Sequence, residues 1–196
     1  MPLQNVKDAA TSQNFRSLEK RFPVQGANLG PPAGAPSSLL PTTGLFIGRQ
    51  VIYKAETGVY WNFAYTGEET YEWAKVGGPP MRDEGGSPST SSTSYQTTNS
   101  PSFTLPLDGE YDISYGAVTV SGASVTGRIG LFVNGSESGS VVASRDASGG
   151  GVVATHKTRL TASAGHVVQA RYKVDVGPNS AQFFALNLWA DPVRVG

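Results

Sequence analysis

The 196-residue sequence contains no cysteine and only two histidines. The lack of cysteine excludes disulfide bonds, thiolate metal sites and a cysteine nucleophile, and it fits a protein made in a reducing cytoplasm. A zinc site needs three or four converging ligands, and the residues around His156 and His166 do not have metal-ligand spacing. The sequence therefore predicts a protein without a metal ion or a cofactor.

Charge of either sign is also sparse. Lys plus Arg equals Asp plus Glu at 15 each, and charged residues make up only 15% of the chain. Because a duplex-binding protein usually carries a basic surplus that neutralises phosphates, we expect no nucleic-acid partner. No apolar run approaches the roughly 18 residues of a membrane span, and no basic segment followed by an apolar stretch opens the sequence. We therefore expect neither membrane insertion nor a secretory signal.

Residues that break regular structure are abundant instead. The chain has 24 Gly and 13 Pro, spaced so that they suit short strands joined by turns and leave little room for long helices. Hydrophobic residues make up 38% of the chain, which is enough for a small core. We predict an all-β protein that buries further apolar surface against partner subunits.

The composition divides the chain into four parts. Residues 1–43 combine an N-terminal docking segment with a Pro/Gly-rich linker. Residues 44–80 predict a small, aromatic-rich antiparallel β meander. Residues 81–101 form a Ser/Thr-rich linker to which we assign no secondary structure. Residues 102–196 predict a β-sandwich or jelly roll of roughly eight short strands.

The N-terminal part carries a short helical pattern. Phe15, Leu18 and Phe22 recur at spacings of three and four residues, and Pro23 ends the segment. A helix of this length is marginal in water and needs a partner surface, so we interpret the three side chains as an anchor on another protein. A loosely ordered tail is the alternative.

Aromatic residues crowd the predicted meander. Exposed aromatic rings could stack on sugars, but a three-stranded unit with one buried face needs aromatic side chains for its own stability. We favour the second interpretation, in which alternate members form the core of the unit. The residues concerned are Tyr60, Trp61, Phe63, Tyr65, Tyr71 and Trp73.

Two pairs of acidic residues raise the possibility of a glycosidase. Glu68-Glu69 and Asp83-Glu84 lie beside glycine-rich turns in different segments, which is typical of solvated loop residues and does not define a cleft. No G-x-S-x-G elbow, P-loop or dinucleotide fingerprint stands in the required context. We predict that the protein is not an enzyme.

Some stretches resemble known families. One consists of Leu40-Pro41-Thr42-Thr43-Gly44-Leu45, then Arg49-Gln50-Val51-Ile52-Tyr53, the aromatic run Val59–Tyr65 and Tyr71-Glu72-Trp73-Ala74-Lys75-Val76-Gly77-Gly78-Pro79-Pro80. It resembles a β module that recurs in virion proteins of tailed bacteriophages. The segment Ser12-Gln13-Asn14-Phe15-Arg16-Ser17-Leu18 resembles the opening segments of such proteins.

Another stretch lies in the predicted sandwich. It consists of Asp108-Gly109-Glu110-Tyr111-Asp112-Ile113-Ser114-Tyr115, then Arg128-Ile129-Gly130-Leu131-Phe132-Val133-Asn134-Gly135, and the closing Phe183-Phe184-Ala185-Leu186. It is similar to trimeric jelly rolls of the complement C1q and tumour-necrosis-factor type. Together the resemblances cover about three quarters of the chain.

The resemblance implies a homotrimeric virion protein with its aromatic last strand near the symmetry axis. It implies a trimer interface at Phe183, Phe184, Leu186, Leu188 and Trp189, and an N-terminal segment that anchors the protein to capsid, neck or tail proteins. We therefore expect a phage appendage of the head, neck or tail (fibre, spike or decoration protein), made in the host cytoplasm. The alternative function is a module that binds host glycans during adsorption.

Overall fold

The computed structural model describes residues 40–56, 58–121, 125–144, 151–175 and 179–196, with the backbone alone at 142–144. All of these belong to one unit, Ser37–Gly196. The predicted anchor residues Phe15, Leu18 and Phe22 lie outside the described residues. The predicted N-terminal helix lies there as well.

The described residues contain strands and no helix, which confirms the all-β prediction. Each pair of neighbouring strands is antiparallel. In chain order the strands are β1 (Gln50–Glu56), β2 (Val59–Tyr65), β3 (Trp73–Gly77), β4 (Met81–Glu84), β5 (Ser89–Thr90), β6 (Ser102–Thr104), β7 (Gly109–Ser121), β8 (Gly127–Val133), β9 (Ser136–Ser144), β10 (Val152–Ala162), β11 (Val167–Val174) and β12 (Ala181–Val195).

The strands of the described residues form two sheets. The larger sheet has eight strands in the order β1-β2-β3-β12-β7-β10, with β4 and β5 also paired to β12, and the smaller sheet has the order β6-β11-β8-β9. The pairs β8–β9, β7–β10, β6–β11 and β5–β12 are nested, as in one long hairpin folded over on itself. This nesting is the topology of a jelly roll. The innermost hairpin turns at Asn134 and Gly135, whose φ angles of 49° and 82° suit the two-residue hairpin turn that an Asn-Gly pair favours.

The predicted meander and the predicted sandwich share the larger sheet. One edge of β12 pairs with β7, and the other edge pairs in turn with β5, β4 and β3. The β1–β2 hairpin extends the sheet beyond β3. Residues 44–80 are therefore joined to residues 102–196 by continuous backbone hydrogen bonding.

The Ser/Thr-rich segment 81–101 differs from the prediction, because it contains β4 and β5. Farther along, the backbone amide of Gln96 donates to the Tyr172 carbonyl, and the amides of Ala170 and Val174 donate to the carbonyls of Pro101 and Ser92. The segment thus follows first the edge of β12 and then the edge of β11. Backbone N–H and C=O groups can pair with a neighbouring strand whatever side chains they carry. The composition of residues 81–101 therefore did not indicate that the segment pairs with β12 and β11.

The core lies between the sheets and continues beneath the meander. Alternate residues of β7, including Tyr111, Ile113 and Tyr115, face the smaller sheet and are buried. On β2 the alternate residues Trp61 and Phe63 are fully buried. The interpretation of the meander aromatics as core residues is confirmed for this strand.

Candidate interaction surface

The last strand divides the five predicted interface residues between the core and the surface. Phe183, Leu186 and Leu188 have 0% exposed area and pack inside the chain itself. Phe184 and Trp189 keep 36% and 40% of their area exposed on the opposite, outer face of the larger sheet. In this conformation, only these two have a substantial side-chain surface to offer another subunit.

A β-bulge at Ala185 produces this division. Phe184 pairs with Val118 and Asn187 pairs with Gly116, so β12 contains one residue more than β7 over this stretch. The extra residue, Ala185, has a φ of 49°, in the left-handed region that the first position of one bulge type requires. The bulge restores the alternation, and therefore both Phe183 and Leu186 face the core.

An apolar row crosses the outer face of the larger sheet at one end. Phe184 on β12 lies opposite Val118 on β7, which lies opposite Val153 on β10. Val153 is 70% exposed. We call Phe184, Val118 and Val153 the apolar row. Cross-strand neighbours of this kind form a continuous surface, because opposite Cβ atoms are only about 5 Å apart.

Trp189 lies next to polar residues in the middle of the same face. The register places it between Arg82 on β4 and Ser114 on β7. The Arg82 guanidinium carbon is 5.2 Å from the centre of the Trp189 ring, within cation–π range. One side of the ring is thus occupied by a cation of the same chain.

Charged residues cover the other end of the face. Asp112 and Asp191 lie directly opposite each other on β7 and β12, and each carboxylate is neutralised from its far side. Lys75 pairs with Asp191, while Lys157 and Arg159 contact the two Asp112 oxygens at 2.9 Å each. The Arg159 hydrogen bond, with a further one from Lys157, holds the pKa of Asp112 below its ordinary value. This arrangement, the charge ladder, makes the outer face apolar at one end and ionic at the other.

Three of the four acidic residues considered as glycosidase groups have partners within the chain. Glu68 pairs with Arg194, and Glu84 pairs with Arg82. One Asp83 oxygen accepts the Ser102 amide hydrogen at 2.7 Å. Asp83 and Glu84 therefore fix neighbouring strands and side chains.

The two histidines lie at separate places. The His156 ring packs edge-on against Tyr115 with 5.5 Å between ring centres, and Nδ1 of His166 accepts the Ser163 amide hydrogen at 3.4 Å. The described part of the chain holds no group of three or more His, Cys, Asp or Glu side chains that could bind a metal ion. Nor do these residues include a helix with the length and apolar character needed to cross a membrane.

Sequence reasoning missed a second surface, on the outer face of the smaller sheet. Tyr95 packs edge-on against Phe132 at 4.8 Å between ring centres, and its hydroxyl donates to Glu137 at 3.0 Å. Burial and the Glu137 interaction raise the pKa of Tyr95 to about 12. A Cβ at Gly130 would lie 2.7 Å from the Tyr95 ring, so any other residue at this position would force the ring to move. The one signal in the sequence was a single aromatic residue within the Ser/Thr-rich segment.

Comparison with known proteins gives no family for this chain. No protein-family model matches it, and no curated protein matches it. One solved structure with some likeness is the insecticidal delta-endotoxin Cry8Ea1 from Bacillus thuringiensis, at 12% identity and a TM-score of 0.39. The alignment covers 79% of this chain and 31% of the toxin chain, so this chain spans about a third of the toxin's length. A likeness this weak carries no argument about function.

Proposed function

We propose that this chain is a structural subunit of a bacteriophage virion, which assembles as a homotrimer and docks through its N-terminal segment. The sequence resemblances of residues 40–80 and 108–186 to phage virion modules and trimeric jelly rolls support the proposal. The nested strand pairing is compatible with the second resemblance. No catalytic role is part of the proposal.

The observation that carries the proposal is the apolar row. Phe184 and Val153 are large apolar side chains that the monomer leaves exposed on a regular sheet face. Contiguous apolar patches of this kind mark interaction surfaces, and the interfaces of obligate oligomers resemble a divided hydrophobic core. Covering the row with a neighbouring subunit would remove both side chains from water.

Light scattering after size exclusion tests the assembly. We expect the full chain to elute with a mass of about 60 kDa, which is three copies of the 20.5 kDa subunit. A single-chain mass over the whole working concentration range would contradict a trimer that forms before docking.

A second candidate, a module that binds host glycans, is favoured by Trp189. Its exposed ring lies beside the polar side chains of Ser114 and Asn187, and saccharide sites combine an aromatic platform with a few polar groups. Quenching of tryptophan fluorescence by neutral oligosaccharides, lost in Trp189→Ala, would support this candidate. No response at millimolar sugar would exclude Trp189 as the platform.

A further inference from the structure

The outer face of the smaller sheet carries cationic side chains. Carboxylates of the same chain neutralise their charges to different degrees. Arg128 forms a bidentate pair with Asp175, in which Nε and Nη2 donate to the two carboxylate oxygens at 2.9 Å each. Glu137 accepts the Tyr95 hydroxyl hydrogen. The charge of Arg128 is therefore balanced within the chain.

Arg171 lies on the same face without such compensation. Its guanidinium carbon lies 4.2 Å from the centre of the Phe132 ring, and Nε donates to Gln169 Oε1 at 2.7 Å. In the described part of the chain no carboxylate forms an ion pair with it and no acceptor is bound to its Nη groups. Stacking on Phe132 and one hydrogen bond thus fix the guanidinium plane. The Nη groups at its outer edge can still donate hydrogen bonds to a ligand.

The support beneath Arg171 is itself rigid. Phe132 is only 7% exposed although it lies on an outer face, because the Tyr95 and Arg171 side chains cover it. A guanidinium held in this way loses little side-chain entropy when it binds a ligand.

Lys173 adds a second cation to this surface. It lies two residues beyond Arg171 on β11 and so points to the same face, about 7 Å away along the strand. Its ammonium nitrogen is 4.7 Å from the centre of the Tyr95 ring. Lys173 is partly compensated, since its charge adds to the larger effect of the Arg128 hydrogen bond in lowering the pKa of Asp175.

We propose that Arg171, assisted by Lys173, binds an oxyanion of an anionic saccharide, either a carboxylate or a phosphate. The planar fork of an arginine matches both groups through two parallel hydrogen bonds. Two cationic side chains whose Cα atoms are about 7 Å apart on one strand, and which point to the same face, suit a repeating chain that carries successive anionic groups. The site lies on the other sheet from the apolar row, so it does not depend on the proposed assembly.

Titration calorimetry on the full chain tests the site with three probes: tri-galacturonate, glucose 6-phosphate and neutral maltotriose. We expect at least one anion to bind more tightly than maltotriose, and the tighter anion identifies a carboxylate or a phosphate ligand. Arg171→Lys keeps the charge but loses the fork, and it should weaken binding of that anion about tenfold, since one bidentate contact contributes on this scale. Phe132→Leu, which removes the stacking surface, should weaken binding several-fold.

Lys54→Gln is the matched control for net charge, because Lys54 is exposed on β1 of the other sheet. We expect this variant to bind within twofold of the unchanged protein. If Lys54→Gln and Arg171→Gln weakened anion binding equally, overall charge alone would explain the effect. That result would overturn the proposal. Binding of neither anion above the maltotriose level would also overturn it.

Discussion

Two buried tyrosines on β7 differ in what their hydroxyl groups contact. The Tyr111 hydroxyl donates to the Leu107 carbonyl four residues upstream at 2.8 Å. The Tyr115 hydroxyl is buried and has no hydrogen-bond partner among the described residues. Burial raises the pKa of both groups, so both are neutral at physiological pH. The comparison isolates the contribution of one buried hydrogen bond.

We predict different effects on stability when each tyrosine loses its hydroxyl. Tyr111→Phe should lower the free energy of unfolding by about 1 kcal/mol, because a satisfied buried hydrogen bond is lost. Tyr115→Phe should leave it unchanged or raise it, because an unpaired polar group is removed from the core. Urea denaturation measures both. A loss in Tyr115→Phe as large as that in Tyr111→Phe would show that the Tyr115 hydroxyl does have a partner.

The backbone conformation of Ala185 also leads to a prediction. At its φ of 49°, an L-residue with a Cβ is strained by about 1 kcal/mol, which glycine avoids. Ala185→Gly should therefore keep or increase stability, with thermal unfolding as the measurement. Ala190→Gly is the control, since Ala190 is fully buried on the same strand. Loss of its methyl group should lower the free energy of unfolding by about 1 kcal/mol or more. Equal losses in the two variants would argue against the bulge.

At the scale of the element, β10 tests the proposed assembly. Val153 is 70% exposed, so Val153→Lys should not disturb the monomer, but it would place a charge within the apolar row. We predict that the mass by light scattering falls to that of one chain while the circular dichroism spectrum is unchanged. Val167→Lys, on the other sheet, is the matched control and should remain a trimer. A trimeric Val153→Lys would exclude the apolar row from the interface.

The charge ladder on β7, β10 and β12 predicts a dependence on pH. The folded-state pKa of Asp112 is lower than its ordinary value of 3.8, so its ion pairs stabilise the fold above that pH. The contribution is lost as the pH falls through the folded-state pKa. Asp112→Asn should therefore reduce stability at neutral pH by less than about 1 kcal/mol and make the fall in stability below about pH 4 shallower. The difference should shrink in 1 M salt, because these pairs are partly exposed.

The elements that follow from the sequence are those whose own residues specify them. The turn at Asn134-Gly135 has the local chemistry of a hairpin, and the aromatic run of β2 was predicted correctly because alternation is local. The strands β4 and β5 were not, because they exist by pairing with β12. The sequence also did not show which side chains of β12 reach the surface, since an insertion of one residue at Ala185 decides this. The pattern of hydrophobic residues along the sequence does not show where such an inserted residue shifts the register of β12.

At the scale of the whole molecule, the two outer faces have different characters. The larger sheet offers the apolar row and the charge ladder, while the smaller sheet offers a fixed guanidinium over buried aromatic rings. In a trimer formed through the larger sheet, the smaller sheet would stay in contact with solvent and could bind ligands. Trimer assembly through the larger sheet and anion binding on the smaller sheet are therefore compatible. An experiment can contradict either one without contradicting the other.

The N-terminal segment provides the last prediction. In the part of the chain that the structure describes, the hydrophobic core consists of residues from Tyr53 to Val195, with Leu40 and Leu45 packed against it. We predict that deletion of residues 1–22, as a segment that serves docking, leaves the melting temperature and the oligomeric mass unchanged. If Phe15, Leu18 and Phe22 anchor the protein, the same deletion should prevent its incorporation into phage particles, because three linked anchors raise the effective affinity far above that of one. Complementation of phage that lack the gene, followed by detection of the truncated protein on purified particles, measures this directly. Normal incorporation would exclude the anchor and leave the sandwich itself as the docking surface.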